Sequence, residues 1–259
     1  MARLLTGNRA FQPSYKTFLE HEMNSLVRYA LNNDVAMLQM DDGKANVMNA
    51  RMLAALNEAL DRAEQEAKVV VLYGREGFFS GGFDLGVFKQ GGSGELAMLE
   101  AGFRLCVRLV NYPLPVIAAC TGNAVAFGAL LLLSCDFRIG VDVGARFHIN
   151  EIRLGMVLPR LMLEIAGRKL APSHFHAATA LGIPYTPTSA LTAGFVDELV
   201  PGYAMQETVQ RRCADLLTLD TKSFARNKQR INASVIQSMA MAMEADITEL
   251  KADAVTAAI

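Results

Sequence analysis

Between Pro115 and Ile139 the sequence opens as an apolar run, turns at Gly122, passes through small residues, and becomes an apolar helix around Ala129–Leu133 before a further strand. The first run predicts a buried strand, and the strand–turn–helix order predicts a layered core around it. A turn of small residues at a helix N-terminus leaves backbone N–H groups outward, unpaired and reinforced by the helix dipole. Such a place can hold an anion.

The rest of the chain can build that core. Its 259 residues are 52% hydrophobic and 20% charged, which fits one domain with an appendage. Net charge is −1 and the cations are scattered, which argues against binding nucleic acid by counterion release. The four cysteines, Cys106, Cys120, Cys135 and Cys213, lie in apolar segments without metal-ligand or disulfide spacing, so they predict core thiols in a reducing, cytoplasmic setting. No apolar run reaches the roughly 18 residues of a membrane span. Residues 1–22 lack the apolar segment of a secretory signal and are read as an extension of unknown role.

From Met23 onward, short apolar runs alternate with amphipathic stretches, the pattern of a βα-type layered fold. Val35–Met40, Val69–Tyr73 and Phe195–Val200 predict strands. Met48–Ala67, with Leu53, Leu56, Leu60 and Ala63 at helical spacing, predicts a helix packed on the sheet. Further helices are predicted over Leu96–Asn111, Pro159–Leu170 and from Thr221 onward. Gln90–Gly94 reads as a mobile loop.

Two segments together carry a resemblance. Phe79-Ser-Gly-Gly-Phe-Asp-Leu85 and Pro115–Ile139, with its Cys135-Asp-Phe-Arg-Ile139 ending, are similar to the paired motifs of the enoyl-CoA hydratase/isomerase, or crotonase, family. Ala145–Gly155 and Ala193–Val200 extend the likeness. The resemblance implies an α/β crotonase-like ββα superhelix of stacked short sheets over residues 23–200. It also implies a C-terminal helical trimerisation region over 201–259, and a homotrimer or dimer of trimers.

Acyl-CoA reactions of this family pass through a thioester enolate whose oxygen is held by two backbone N–H groups. Carried over by motif, the donors fall on Phe83 and Phe127, with Gly128 as a neighbouring alternative. The family has glycine where Phe127 stands, so a strained positive φ is expected there. The resemblance also assigns the coenzyme A groove to Lys44, Ala45 and Val47 and to Gly81, Gly82 and Asp84. Lys44 or Lys89 could meet phosphates, and Lys222 and Lys228 could reach a 3′-phosphate. Coenzyme A is the carrier of the substrate, and neither a cofactor nor a metal is expected.

The hydratases of the family use two glutamates. Here the first position falls on Leu130, assigned to the substrate pocket, and the second on Glu151. Hydration needs water activated at C3 and a proton delivered at C2, work that two carboxylates share, whereas a Δ3 to Δ2 double-bond shift needs one movable proton. The Δ3,Δ2-enoyl-CoA isomerases resemble the chain in having leucine at the Leu130 position and an Asn-Glu pair like Asn150-Glu151. An isomerase of fatty acid metabolism is therefore expected. Hydration, decarboxylation, thioester hydrolysis or an idle CoA-binding scaffold stand as alternatives. Apolar neighbours Ile149, Ile152, Leu154 and Met156 are expected to raise the Glu151 pKa. His148 is expected to pack away from it, and Asp136 to order a strand start.

Overall fold

The structure, a computed structural model, describes residues 25–257, so the N-terminal extension lies outside the described residues. Its backbone is a six-stranded sheet in the order β1 (Val27–Asn32), β2 (Val35–Met40), β4 (Val69–Tyr73), β7 (Val116–Cys120), β9 (Phe137–Val141) and β11 (Glu198–Val200). Only the β1–β2 pair is antiparallel. It is a two-residue hairpin whose Asn33 and Asp34 both take positive φ, 48° and 64°, the backbone that best follows strand twist. Tyr73 and Phe137 aside, β4, β7 and β9 are almost wholly buried, as parallel strands covered on both faces must be.

Each central strand then runs into a shorter one and a helix. β2 leads to β3 (Val47–Met48) and α1 (Ala50–Glu66). β4 leads to β5 (Gly77–Ser80), β6 (Gly82–Phe83), α2 (Leu85–Gln90) and α3 (Ser93–Val110). β7 leads to β8 (Gly122–Val125) and α4 (Phe127–Leu133), and β9 to β10 (Phe147–His148) and α5 (Arg160–Lys169). The short strands form a second sheet, β10-β8-β5, and a β3-β6 pair. This stacking of strand, short strand and helix is the superhelix that the resemblance implied. α1 starts at Asn49, whose side chain accepts from the Met52 N–H at 3.1 Å, and it buries Met52, Leu53, Leu56, Leu60 and Ala63 on one face. α8 (Met205–Leu217) covers the opposite face of the sheet with Met205, Val209 and Cys213. All four cysteines are buried and unbridged.

Between these layers α6 (Pro172–Thr179) and α7 (Pro187–Ala193) join α5 to β11. The expected loop Gln90–Gly94 is much shorter than its composition suggested. α2 runs to Gln90 and α3 begins at Ser93, so only Gly91 and Gly92, both at positive φ, separate them.

The chain ends in α9 (Thr221–Ala257), which lies on α3 and α5. Polar side chains fix its register. Asn232 donates to the Val110 carbonyl at the end of α3, and its oxygen receives Arg168 of α5. Asp246 accepts from the first two N–H groups of α5, those of Arg160 and Leu161, at 3.0 and 2.9 Å. No helix among the described residues is long and apolar enough to cross a membrane. Asp246 is buried and acts as a cap supplied from another helix, so Asp246→Ala should lower unfolding stability by about 2 kcal/mol, read from urea denaturation, with Asp246→Asn retaining part of it.

Candidate active site

The two glycine-bearing motifs meet at the start of α4. Asn46, fully buried at a φ of 51°, donates to the carbonyls of Met40 and Phe79, and its own carbonyl receives the Ser80 hydroxyl at 2.8 Å. The Gly81 N–H donates to the Ala45 carbonyl at 2.7 Å. These bonds tie the turn before β3 to the turn before β6. Ala45, Val47 and Gly81 are thus part of the frame that positions β6, and Gly82 pairs in register with Val47.

The Asp84 N–H donates to the Met48 carbonyl, so the Phe83 N–H, one residue back on the strand, faces the other way. The Phe127 N–H, first in α4, has no acceptor within its own helix. A Cβ built on Gly82 would lie 3.2 Å from the Phe127 nitrogen, which places the two amide-bearing segments side by side. The rings of Phe83 and Phe127 stack with centroids 4.0 Å apart and planes 25° from parallel. Against them lies Gly102 of α3, where a Cβ would come within 2.5 Å of the Phe83 ring and 3.1 Å of the Phe127 ring.

The expected strain sits one residue earlier than its assigned place. Ala126 carries the positive φ, 52°, and Phe127 is helical. The chain reverses before the helix, so the residue ahead of the first free N–H takes the unfavourable backbone. Gly128 is a packing glycine, its Cα so near Ser80 that a Cβ would stand 2.2 Å from that carbonyl oxygen.

A cavity of about 160 Å³ adjoins this turn. Gly81, Phe83, Leu85, Phe88, Leu99, Ala126, Leu154, Met156, Val157, Pro159, Met162 and Leu250 supply its mostly apolar wall, with Asn150, Glu151 and Glu95 as polar members. Glu151 opens the short 3-10 turn Glu151–Leu154 after β10 and is 6% exposed. Its Oε2 and the Asn150 Oδ1 are buried with no partner among the described residues. Burial pushes the Glu151 carboxyl up to about 7, against a smaller opposing pull from the N–H groups of Glu151 and Asn150. A carboxyl with that pKa can give and take a proton at neutral pH.

Several assigned residues stand elsewhere. Leu130 is fully buried inside α4 and does not line the cavity. Ile149 belongs to the core and Ile152 faces solvent, so only Leu154 and Met156 of the four apolar neighbours reach the cavity. Asp84 caps α2, accepting from the Gly86 N–H at 2.8 Å. Lys44, Lys89 and Lys222 are exposed. Lys228 is buried and donates to Asp136 at 2.6 Å, so it cannot also reach outward to a phosphate. Asp136 in turn receives the Val116 N–H at 2.9 Å and fixes the start of β7. His148 packs against the Gly182 carbonyl at 2.8 Å and is absent from the cavity wall. Glu95 escaped the sequence reading because a lone glutamate in the first turn of a helix is also what the helix dipole favours. A larger hollow, about 680 Å³, lies at the α8–α9 junction among Asp220, Phe224, Arg226 and Arg230, and shares no residue with the cavity of Glu151.

The raised pKa has a measurable stability cost. The folded state holds the Glu151 proton more tightly than the unfolded chain, so between pH 4.5 and about 7 folding loses stability as pH rises. Above pH 7 the deficit is on the order of 3 kcal/mol. Glu151→Gln should therefore unfold later than wild type in denaturant at pH 8, with the gap closing toward pH 4.

Comparison with known proteins identifies the family to which this fold belongs. The sequence model of the family described as enoyl-CoA hydratase/isomerase matches residues 30–257. The human mitochondrial enoyl-CoA delta isomerase 1 is 26% identical over 219 residues, covering 82% of this chain and 72% of that protein. A crystal structure of an enoyl-CoA hydratase/isomerase family protein from Pseudomonas syringae superposes with a TM-score of 0.85 at 32% identity, covering 87% of this chain and 98% of that one. An enoyl-CoA hydratase from Mycobacterium marinum gives a TM-score of 0.81 at 34% identity, covering 88% and 99%. The chain belongs to the enoyl-CoA hydratase/isomerase family.

Proposed function

We propose that the protein isomerises Δ3-enoyl-CoA to Δ2-enoyl-CoA through a thioester dienolate, with Glu151 as the single acid–base group. The observation that carries this reading is a buried carboxyl of neutral pKa, one oxygen of which has no partner, at the wall of a mostly apolar cavity, with leucine at the position of the first hydratase glutamate. The N–H groups of Phe83 and Phe127 receive the thioester oxygen. Ionised Glu151 takes a proton from C2, the C2–H electron pair moves into conjugation with the thioester, and the dienolate charge gathers on the oxygen facing the two donors. The proton then returns from Glu151 to C4, the C3–C4 double bond becomes C2–C3, and the carboxylate is restored. The apolar wall keeps bulk water from the proton in transit.

Hydration is the second reading, since relatives include proteins named for that activity. It would need a water-activating group close to Glu151. Leu130 supplies none, and Glu95 stands on the α3 face that leads away from the donors.

Incubation with a 3-enoyl-CoA should raise absorbance as the conjugated thioester forms, while a 2-enoyl-CoA should persist. Loss of the 2-enoyl absorbance with water addition would replace this reading by hydration. Glu151→Gln should lower kcat by at least about a thousandfold and leave binding of a saturated acyl-CoA intact. The pH profile of kcat/KM should rise with pH and level off above a single apparent pKa of about 7, because the base must be ionised in the free enzyme.

The aromatic pair yields a separate expectation. Gly102→Ala forces a methyl group onto the Phe83 and Phe127 rings and so shifts the backbone donors behind them. It should lower kcat roughly tenfold to a hundredfold with little change in KM, measured by steady-state kinetics.

A further inference from the structure

The cavity that holds Glu151 contains a second carboxylate without a partner. Glu95 lines the same wall, half-buried, and forms no hydrogen bond or ion pair with a described residue. Its fellow acid on α3, Glu100, does find a partner in Arg104 at 2.6 Å. The Glu95 Oε2 lies toward Gly91, 3.8 Å from where a Cβ on that residue would stand, so the carboxylate sits at the edge of a cavity whose wall is otherwise mostly apolar. Water can reach a half-exposed carboxylate in the free protein, but a ligand that fills the cavity displaces that water and must supply a donor in its place.

Its place along the cavity follows from the helix. Glu95, Leu99 and Gly102 stand at i, i+4 and i+7, one face of α3. Gly102 touches the Phe83–Phe127 pair, so this face leads from the oxyanion donors to Glu95 over about 10 Å of helix axis. A thioester held at the donors with its acyl chain along Leu99 would bring the far end of that chain, not its reacting carbons, to Glu95.

We propose that Glu95 is a specificity-determining residue that receives a hydrogen-bond donor, an ammonium or a hydroxyl, at the far end of a medium-length acyl-CoA. The proposal rests on the acyl-CoA reading above and narrows its substrate class. A chain ending in methyl displaces water from the carboxylate without replacing its hydrogen bond, so a ligand that cannot satisfy the polar group binds less well. An ammonium end satisfies it with a charge-assisted bond, and a hydroxyl end with a weaker one.

Saturated acyl-CoA ligands of equal length, ending in methyl, hydroxyl or ammonium, test this by calorimetric binding, since they bind without reacting. Wild type should bind the ammonium ligand about tenfold tighter than the methyl ligand, with the hydroxyl ligand between them. Glu95→Leu should bring the ammonium-to-methyl ratio to one or below, and Glu95→Gln should keep only the hydroxyl preference. A mere helix-dipole role for Glu95 would alter stability without moving the ratio. The proposal is overturned if the ratio is the same in wild type and Glu95→Leu, or if wild type binds the methyl ligand tightest. If wild type binds none of the three, the acyl-CoA reading itself fails and takes the proposal with it.

Discussion

The stacked rings of Phe83 and Phe127 are the contact on which the candidate site depends. They join β6 to α4, two segments separated in sequence by two helices and two strands, and they do so directly behind the two amides that would hold a thioester oxygen. Backbone donors cannot be tuned by changing their own side chains' chemistry, so their aim has to be set by what packs around them. Phe88 and Phe103 meet Phe83 edge-on at 6.2 and 6.4 Å, giving a stacked pair a surrounding of favourable aromatic geometry. The cost appears at Ala126, where the reversal into α4 requires positive φ from a residue with a Cβ.

Electrostatically the site is spare. α4 is buried along its whole length, and its Leu130 to Leu133 run presents no group that could ionise. In the proposed reaction proton transfer is therefore left to Glu151, and the same desolvation that brings its pKa near neutrality makes its charged form unfavourable. Two buried cations elsewhere are handled differently. Lys228 with Asp136, and Arg138 with Asp197 at 2.6 Å, are paired before they are enclosed. Arg168 keeps one buried nitrogen without a partner among the described residues, whereas the incompletely paired carboxyl lies in the cavity, where a substrate changes the balance.

The layered fold was legible because periodicity reports burial directly. The apolar residues of Met48–Ala67 recur at helical spacing and the helix is there, beginning two residues later at Ala50, after Asn49, whose side chain caps it. The tight loops were less legible. Paired glycines announce a break but not its length, and α2 and α3 grow to within two residues of each other. Glu151 was legible from its motif, and its burial from its neighbours, although two of the four named neighbours point elsewhere. Lys228 was misread as outward-facing because nothing local says that Asp136, distant in sequence, will cover it. Glu95 was invisible for the same reason, since its cavity is assembled from α2, α3, the segment after β10 and α9.

The last of those contributions has a temporal meaning. Leu250 of α9 closes part of the cavity wall, and Asn232 and Asp246 lock that helix onto α3 and α5. During synthesis the strands, the aromatic pair and Glu151 all leave the ribosome before α9 does. Until α9 folds onto α3 and α5, Glu151 therefore faces a groove that lacks the Leu250 part of its wall, and docking of that one helix completes the cavity.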